Sequence, residues 1–206
     1  MELDKLTEIF KRLDTYYVAN SINTQNIDID TFSDKIASFI RIIEFWTQAL
    51  GLLLAKCENH KKRKNIINNL YDENCQDMTH VETFYAFLSE CSDKAPLDIV
   101  LTASKNNQTI SKFITIMKNF ISNNTFEDSC EVLGSAEYIY SLISEDVNEL
   151  FYKYKNIHPK FHYVIKKIDT KHATDLFDCS EKIVSEHNLY FGADWITGII
   201  NELVNQ

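Results

Sequence analysis

Glycine and proline are scarce in this chain, at four and two in 206 residues. An all-β sandwich or barrel needs many tight turns built from those residues, so their shortage argues against that class. Cysteines number five, at 57, 75, 91, 130 and 179, and no CxxC pair occurs among them. The first residues, MELDKLTEIFKRL, carry charges throughout and have no apolar signal core. Together these read as reduced thiols in a cytoplasmic protein. Long apolar runs are missing as well. The longest, FWTQALGLLLA, is too short and too interrupted to span a bilayer, so no membrane partner is expected. Positive charge is in deficit: 21 Lys and Arg against 30 Asp and Glu leave a net −9. That balance speaks against a broad nucleic-acid surface. The single basic run, HKKRK at 60–64, reads as the solvated first turn of a helix.

What the chain does have is apolar material at helical spacing. Hydrophobic residues make up 45% and aromatics 12%, enough for a sizeable core. Leu3, Leu6, Ile9, Phe10, Leu13 and Tyr17 form one stripe over 2–18, and the polar stretch 19–30 reads as a loop. Thr31 and Ser33 can cap a long helix to about 57, with Phe32, Ile36, Phe39, Ile40, Ile43, Trp46, Leu50 and Leu53 inward. A helix over 61–74 follows. After the CQDM loop, THVE at 79–82 is a capping box, Thr79 the cap and Glu82 three residues on, opening a helix to Cys91. A turn at Pro96, a short helix at 96–105, and helices at 108–122, 126–156, 160–188 and 191–205 complete the reading, with Pro159 as a break. No internal repeat and no low-complexity linker interrupts it. The expectation is one all-α domain over 1–206, a bundle of eight or nine helices.

Ionisable residues on apolar stripes point to chemistry, because a buried carboxylate is costly unless paired, hydrogen-bonded or bound to metal. Glu137 lies between Leu133 and Tyr140 on the stripe of the helix after 126, flanked by the small residues Gly134, Ser135 and Ala136. In the helix after 160, Phe161, Ile165, Ile168, Leu176, Cys179 and Ile183 face inward, and His172 falls in that row with Asp169 at i−3. Such an acid and histidine pair is what bundle proteins use to hold two metals. Glu73 ends one helix and His80 begins the next, so the turn between them can aim both at one point. Three acids and two histidines from four helices are thus expected to converge. Carboxylate oxygens and imidazole nitrogens suit iron or manganese, and no cysteine stands among them to make a thiolate site.

In these blocks the chain resembles the haem-oxygenase-like diiron oxidases, the group that includes the Chlamydia protein associating with death domains. More distantly it is similar to the thiaminase-II and pyrroloquinoline-quinone synthase C families. The resemblance covers about residues 30–190. NIINNLYDEN followed by HVETFYAFL resembles the family's paired acids and the histidine after them, and implies Glu73 and His80 as ligands. GSAEYIYSLISEDVNELFYKY resembles its small/aromatic glutamate block and implies Glu137. FHYVIKKIDTKHATDLF resembles its His-x-x-x-Asp-x-x-His block and implies Asp169 and His172. One position departs: the first histidine of that last block falls on Ile165, and the nearby His162 stands roughly 10 Å from Asp169 along a helix. The six-ligand set is five here.

The resemblance implies a haem-oxygenase-like bundle binding two irons, or iron and manganese, and using dioxygen to oxidise a small amine- or carboxylate-bearing metabolite. Homodimer pairing through helices is common in that fold. Two other readings compete with it: a metal-poor bundle that binds a ligand or a partner protein, and a cofactor-free thiaminase-like enzyme. The last needs a nucleophilic cysteine, for which Cys130, seven residues before Glu137, is the candidate, although a small core residue is the plainer role for it. A haem role lacks a proximal ligand in the N-terminal helix, since no histidine precedes His60. Tyr138 and Tyr140, beside Glu137, read as core aromatics with satisfied hydroxyls.

Overall fold

Why one helix of this chain is buried on nearly every side is answered by its neighbours. The computed structural model describes residues 3–20, 32, 35–74, 79–91, 108–156 and 160–205, with the backbone alone for 3, 160–167 and 205. Among these residues there are eight α-helices and no strand: α1 (Leu3–Asn20), α2 (Ile40–Lys56), α3 (His60–Asn74), α4 (His80–Cys91), α5 (Gln108–Asn123), α6 (Phe126–Lys155), α7 (Lys160–Cys179) and α8 (Glu186–Asn205). A 3-10 turn, Ala37–Phe39, leads into α2. The 30-residue α6 is the central pillar. It packs most extensively against α7 and α8, and also touches α1, α2 and α5. That is why Ser129, Ser135, Ser141 and Ser144 on it are buried alongside its apolar residues.

Small residues set how closely these helices approach. A Cβ on Gly134 would meet the Ala173 carbonyl, the Leu176 Cβ and the Phe177 ring at 3.3 Å, so α6 and α7 touch there. On α8, a Cβ on Gly192 would come within 2.2 Å of the Val132 carbonyl oxygen. Ser135 Oγ donates to the Leu189 carbonyl across the same seam, at 2.5 Å. The GSA run before Glu137 therefore makes space for two neighbouring helices.

The ends of the helices follow local chemistry where they can. Glu82 N donates to Thr79 Oγ1 at 3.1 Å and Thr79 N to Glu82 Oε2 at 2.8 Å, the reciprocal capping box expected for α4. Asn59 Oδ1 caps α3 by accepting from Lys61 N at 2.9 Å. Thr125 caps α6 at its start, and Asn156, at φ 53°, closes it in the left-handed conformation. Within the basic run, Lys62 reaches Glu127 and Glu181, and Arg63 Nε donates to the Cys57 carbonyl at 2.6 Å. Those two side chains belong to a surface network, and only their neighbours are fully solvated.

One boundary differs from the sequence expectation. The helix read over 160–188 ends at Cys179, and the next begins at Glu186, not at 191. The intervening segment is held from outside. Glu131, wholly buried on α6, accepts from Ser180 Oγ at 2.7 Å, Ser185 N at 3.1 Å and Asn188 Nδ2 at 2.8 Å. A carboxylate on another helix supplies the acceptors that continued helix would otherwise supply. Ile183, expected inward, is accordingly 88% exposed. The proposed caps Thr31 and Ser33, the CQDM loop and the 96–105 helix lie outside the described residues.

α2 with its 3-10 turn, Ala37–Lys56, is long and apolar enough to cross a membrane by length and composition. Here its apolar face is core: Phe39, Ile40, Phe45, Ala49, Leu50 and Leu53 are all buried.

Candidate metal centre

The carboxylates and imidazoles that matter come from separate helices. On the otherwise polar α3, Ile66, Asn69 and Glu73 are the buried residues, at i, i+3 and i+7, so one narrow face carries Glu73 inward. α4 begins with His80, placed one residue after its cap. The long α6 contributes Glu137, and α7 contributes Asp169 and His172 one turn apart. All five are buried, Asp169 at 2% and His172 at 0% exposure.

Three of the five meet. Glu73, Glu137 and His172 each offer a ligand atom, and those atoms lie within 4.8 Å of one another. His172 Nδ1 is 3.5 Å from Glu73 Oε1 and 3.6 Å from Glu137 Oε1. His80 joins through the other side of Glu73, its Nδ1 2.7 Å from Oε2. Asp169 stands outside the triplet yet close enough that the charges of Glu137 and Glu73 act on it. The five residues named from the sequence thus lie near one another, and the structure makes Glu73, Glu137 and His172 the centre, a distinction the sequence did not offer.

The electrostatics are those of an uncompensated acidic cluster. Burial, followed by the negative charges of Glu137 and Glu73, pushes the Asp169 carboxyl well above its ordinary range. Burial likewise raises Glu137, although the nearby His172 imidazole and the hydrogen bond from Trp46 work the other way. For His172 burial opposes the charged form, but Glu137, Glu73 and Asp72 outweigh it and the imidazole is held above its usual value. The Tyr140 hydroxyl is raised by burial and then by the charges of Asp169, Glu137 and Glu73.

Several polar atoms here have no partner. His172 Nδ1, His80 Nε2 and Asp169 Oδ2 are buried without a hydrogen bond. Native proteins seldom leave such atoms bare, and an ion or water is the usual explanation. Nitrogen and oxygen donors of this kind, with no thiolate, suit iron or manganese. The residues therefore fit a bound cation. Beside them is a cavity of about 50 Å³ lined by Phe39, Ile42, Trp46, Ala136, Tyr140 and Ile196 together with the acids and His80. One or two waters, or a diatomic gas, match that size, with about 30 Å³ as the share of a water in the liquid.

Three residues at the centre escaped sequence reasoning. Trp46 donates its Nε1–H to Glu137 Oε1. Asn69, fully buried one turn before Glu73, donates Nδ2 to the His172 carbonyl at 3.4 Å. Asp72 lies 3.3 Å from His172 Nε2. Asn69 carried a signal, being a polar residue four before Glu73 on the same face; the other two did not. Tyr138 turns the opposite way, stacking on Phe10 and donating to Asp14 at 2.8 Å. The side chains of His162 and Ile165 lie outside the described residues. Cys57, Cys91, Cys130 and Cys179 are free and buried, and Cys75 is outside the described residues.

Fold and centre together define an all-α bundle with a buried glutamate–glutamate–histidine cluster of metal-ligand type. Compared with protein-family models and with curated proteins, the chain finds no match in either.

Proposed function

We propose that this chain is a non-haem metal-dependent oxidase of haem-oxygenase-like fold, holding two irons, or iron and manganese, and using dioxygen to oxidise a small metabolite. The observation that carries the reading is the convergence of Glu73, Glu137 and His172 from three helices, with Asp169 and His80 beside them and three buried donor atoms left without partners. Such a cluster is costly without a cation, because charges taken out of water must be compensated. Glu73, Glu137 and His172 would hold the metal, with His80 and Asp169 completing the set. When bound, the metal supplies the activation of dioxygen and the redox equivalents for substrate oxidation. The protein's own part is positional. Trp46 fixes one oxygen of Glu137, His80 fixes one of Glu73, and Phe39, Ile42 and Ile196 form an apolar wall beside them.

The thiaminase-like alternative loses its nucleophile. Cys130 is fully buried, does not line the cavity, and burial pushes its thiol well above the ordinary range. The metal-poor binding module retains one argument, the isoleucine at position 165.

Metal analysis after anaerobic loading with ferrous iron separates the readings. About two irons per chain by the resemblance, with an optical change on exposure to oxygen that is lost in Glu137→Ala and His172→Ala, is the expected result. Negligible metal in the wild-type chain, equal to that in the two variants, would overturn the oxidase.

A further inference from the structure

Asp72 and Glu73 are neighbours in sequence, but consecutive residues of a helix point about 100° apart. Only one of them can face the cluster from α3, and that is Glu73. The Asp72 carboxylate instead reaches the near edge of α7. There its Oδ2 lies 3.3 Å from His172 Nε2 and 2.8 Å from Lys171 Nζ. His172 is therefore held between two acidic neighbours of α3 on opposite sides of its ring. Nε2 faces Asp72, while Nδ1, without a hydrogen bond, faces Glu73 and Glu137. The two acids also differ in setting. Glu73 is 4% exposed, whereas the Asp72 side chain is 20% exposed and backed by the solvated Lys171 ammonium.

An ionised carboxylate can only accept. Of the acids around the ring only Asp72 is hydrogen-bonded to it, at 3.3 Å from Nε2, while Glu73 and Glu137 stand at 3.5 and 3.6 Å from an Nδ1 that makes no hydrogen bond, so the proton is assigned to Nε2. The opposite nitrogen then presents its lone pair, which is the form a metal takes. We propose that Asp72 is a positioning residue that holds His172 in the Nε2–H tautomer, with the Nδ1 lone pair aimed between Glu73 and Glu137. Its consequence for metal binding rests on the oxidase reading; the tautomer itself does not. Lys171 anchors Asp72 from the solvent side, and the Asn69 amide, bonded to the His172 carbonyl, fixes the α7 backbone from the same helix face.

The test uses the metal-free full-length chain labelled with 15N in histidine. Two-bond 1H–15N correlation spectra are recorded at a pH high enough for His172 to be neutral. The expected wild-type signal is that of an Nε2-protonated ring. Asp72→Ala shifts the population toward Nδ1–H, and Asp72→Glu restores the wild-type pattern. A wild-type His172 protonated on Nδ1, or a tautomer unchanged in Asp72→Ala, would overturn the assignment. In a second arm, Mn²⁺ is titrated into each protein. Asp72→Ala is expected to bind about 10- to 100-fold more weakly, with most of the affinity regained in Asp72→Glu. Equal affinity in wild type and Asp72→Ala refutes the positioning role even if the wild-type tautomer is as expected. A wild-type chain that binds no Mn²⁺ counts against the metal reading alone, and the spectra still decide the tautomer. Should Asp72→Ala fail to give a helical circular-dichroism signal, Asp72→Asn, which keeps the shape without the charge, is read by the same Mn²⁺ titration.

Discussion

Glu137 shows most directly what a buried carboxylate costs the fold. It is buried on a helix packed on several sides, its carboxyl raised by desolvation, and its only neutral donor among the contacts described above is the Trp46 indole. Glutamine at that position keeps the acceptor for Trp46 and removes one negative charge from a cluster of three acids. Glu137→Gln is therefore expected to raise the stability of the metal-free protein, by about 1 kcal/mol, while abolishing its response to added metal. Urea midpoints with and without Mn²⁺ check both halves. A variant less stable than wild type without metal would mean that Glu137 serves instead as a needed ion-pair partner of His172.

Between elements, the decisive features are close approaches and borrowed caps. Gly192 lets α8 come down on α6, where a Cβ would overlap the Val132 carbonyl oxygen at 2.2 Å. Because that obstacle is backbone, Gly192→Ala must move a helix, and a loss of about 1–3 kcal/mol in chemical denaturation is expected. Near the foot of the same seam, Asp128 accepts from Lys182, Thr125 and Asn188. Burial opposes its charge, but these partners prevail and hold its carboxyl below the usual range. A carboxyl lowered in the folded state contributes stability that is complete above the unfolded value, about 3.9, and is lost as the pH falls below it. The melting temperature of wild type should exceed that of Asp128→Asn at pH 7, and the gap should narrow toward pH 2. A gap independent of pH would refute the linkage. These cases also show what the sequence could and could not reveal. The stripe holding Leu133, Glu137 and Tyr140, and the Thr79–Glu82 box, are written in local spacing, and both were legible. The break after Cys179 is made by Glu131, 49 positions before Ser180, so no local pattern at 180–185 announces it. Asp72 was hidden for a related reason. Which of two adjacent acids faces a cluster depends on how α3 rolls against α7, and only packing decides that.

For the whole molecule, a cation held as proposed by Glu73, Glu137 and His172 would tie together α3, α6 and α7, helices joined otherwise by side-chain packing and a few hydrogen bonds. The unfolded chain cannot bring residues 73, 137 and 172 together, so binding is specific to the native state and adds to its stability. At a free metal concentration 100-fold above the dissociation constant the gain is about 2.7 kcal/mol. For a chain of this size that corresponds to a rise in melting temperature of about 5–10 °C. Mn²⁺ under aerobic conditions is the convenient probe, since it needs no protection from oxygen, and excess chelator should return the protein to its starting value. The same addition should leave His172→Ala unmoved, because the variant loses the donor at the junction of all three helices. A binding module that merely shares the bundle predicts something else: no change between metal and chelator in the wild type, just as in the variant, whatever the variant's own melting temperature. Scanning all three conditions in one experiment therefore tests the metal against the module without knowledge of any substrate.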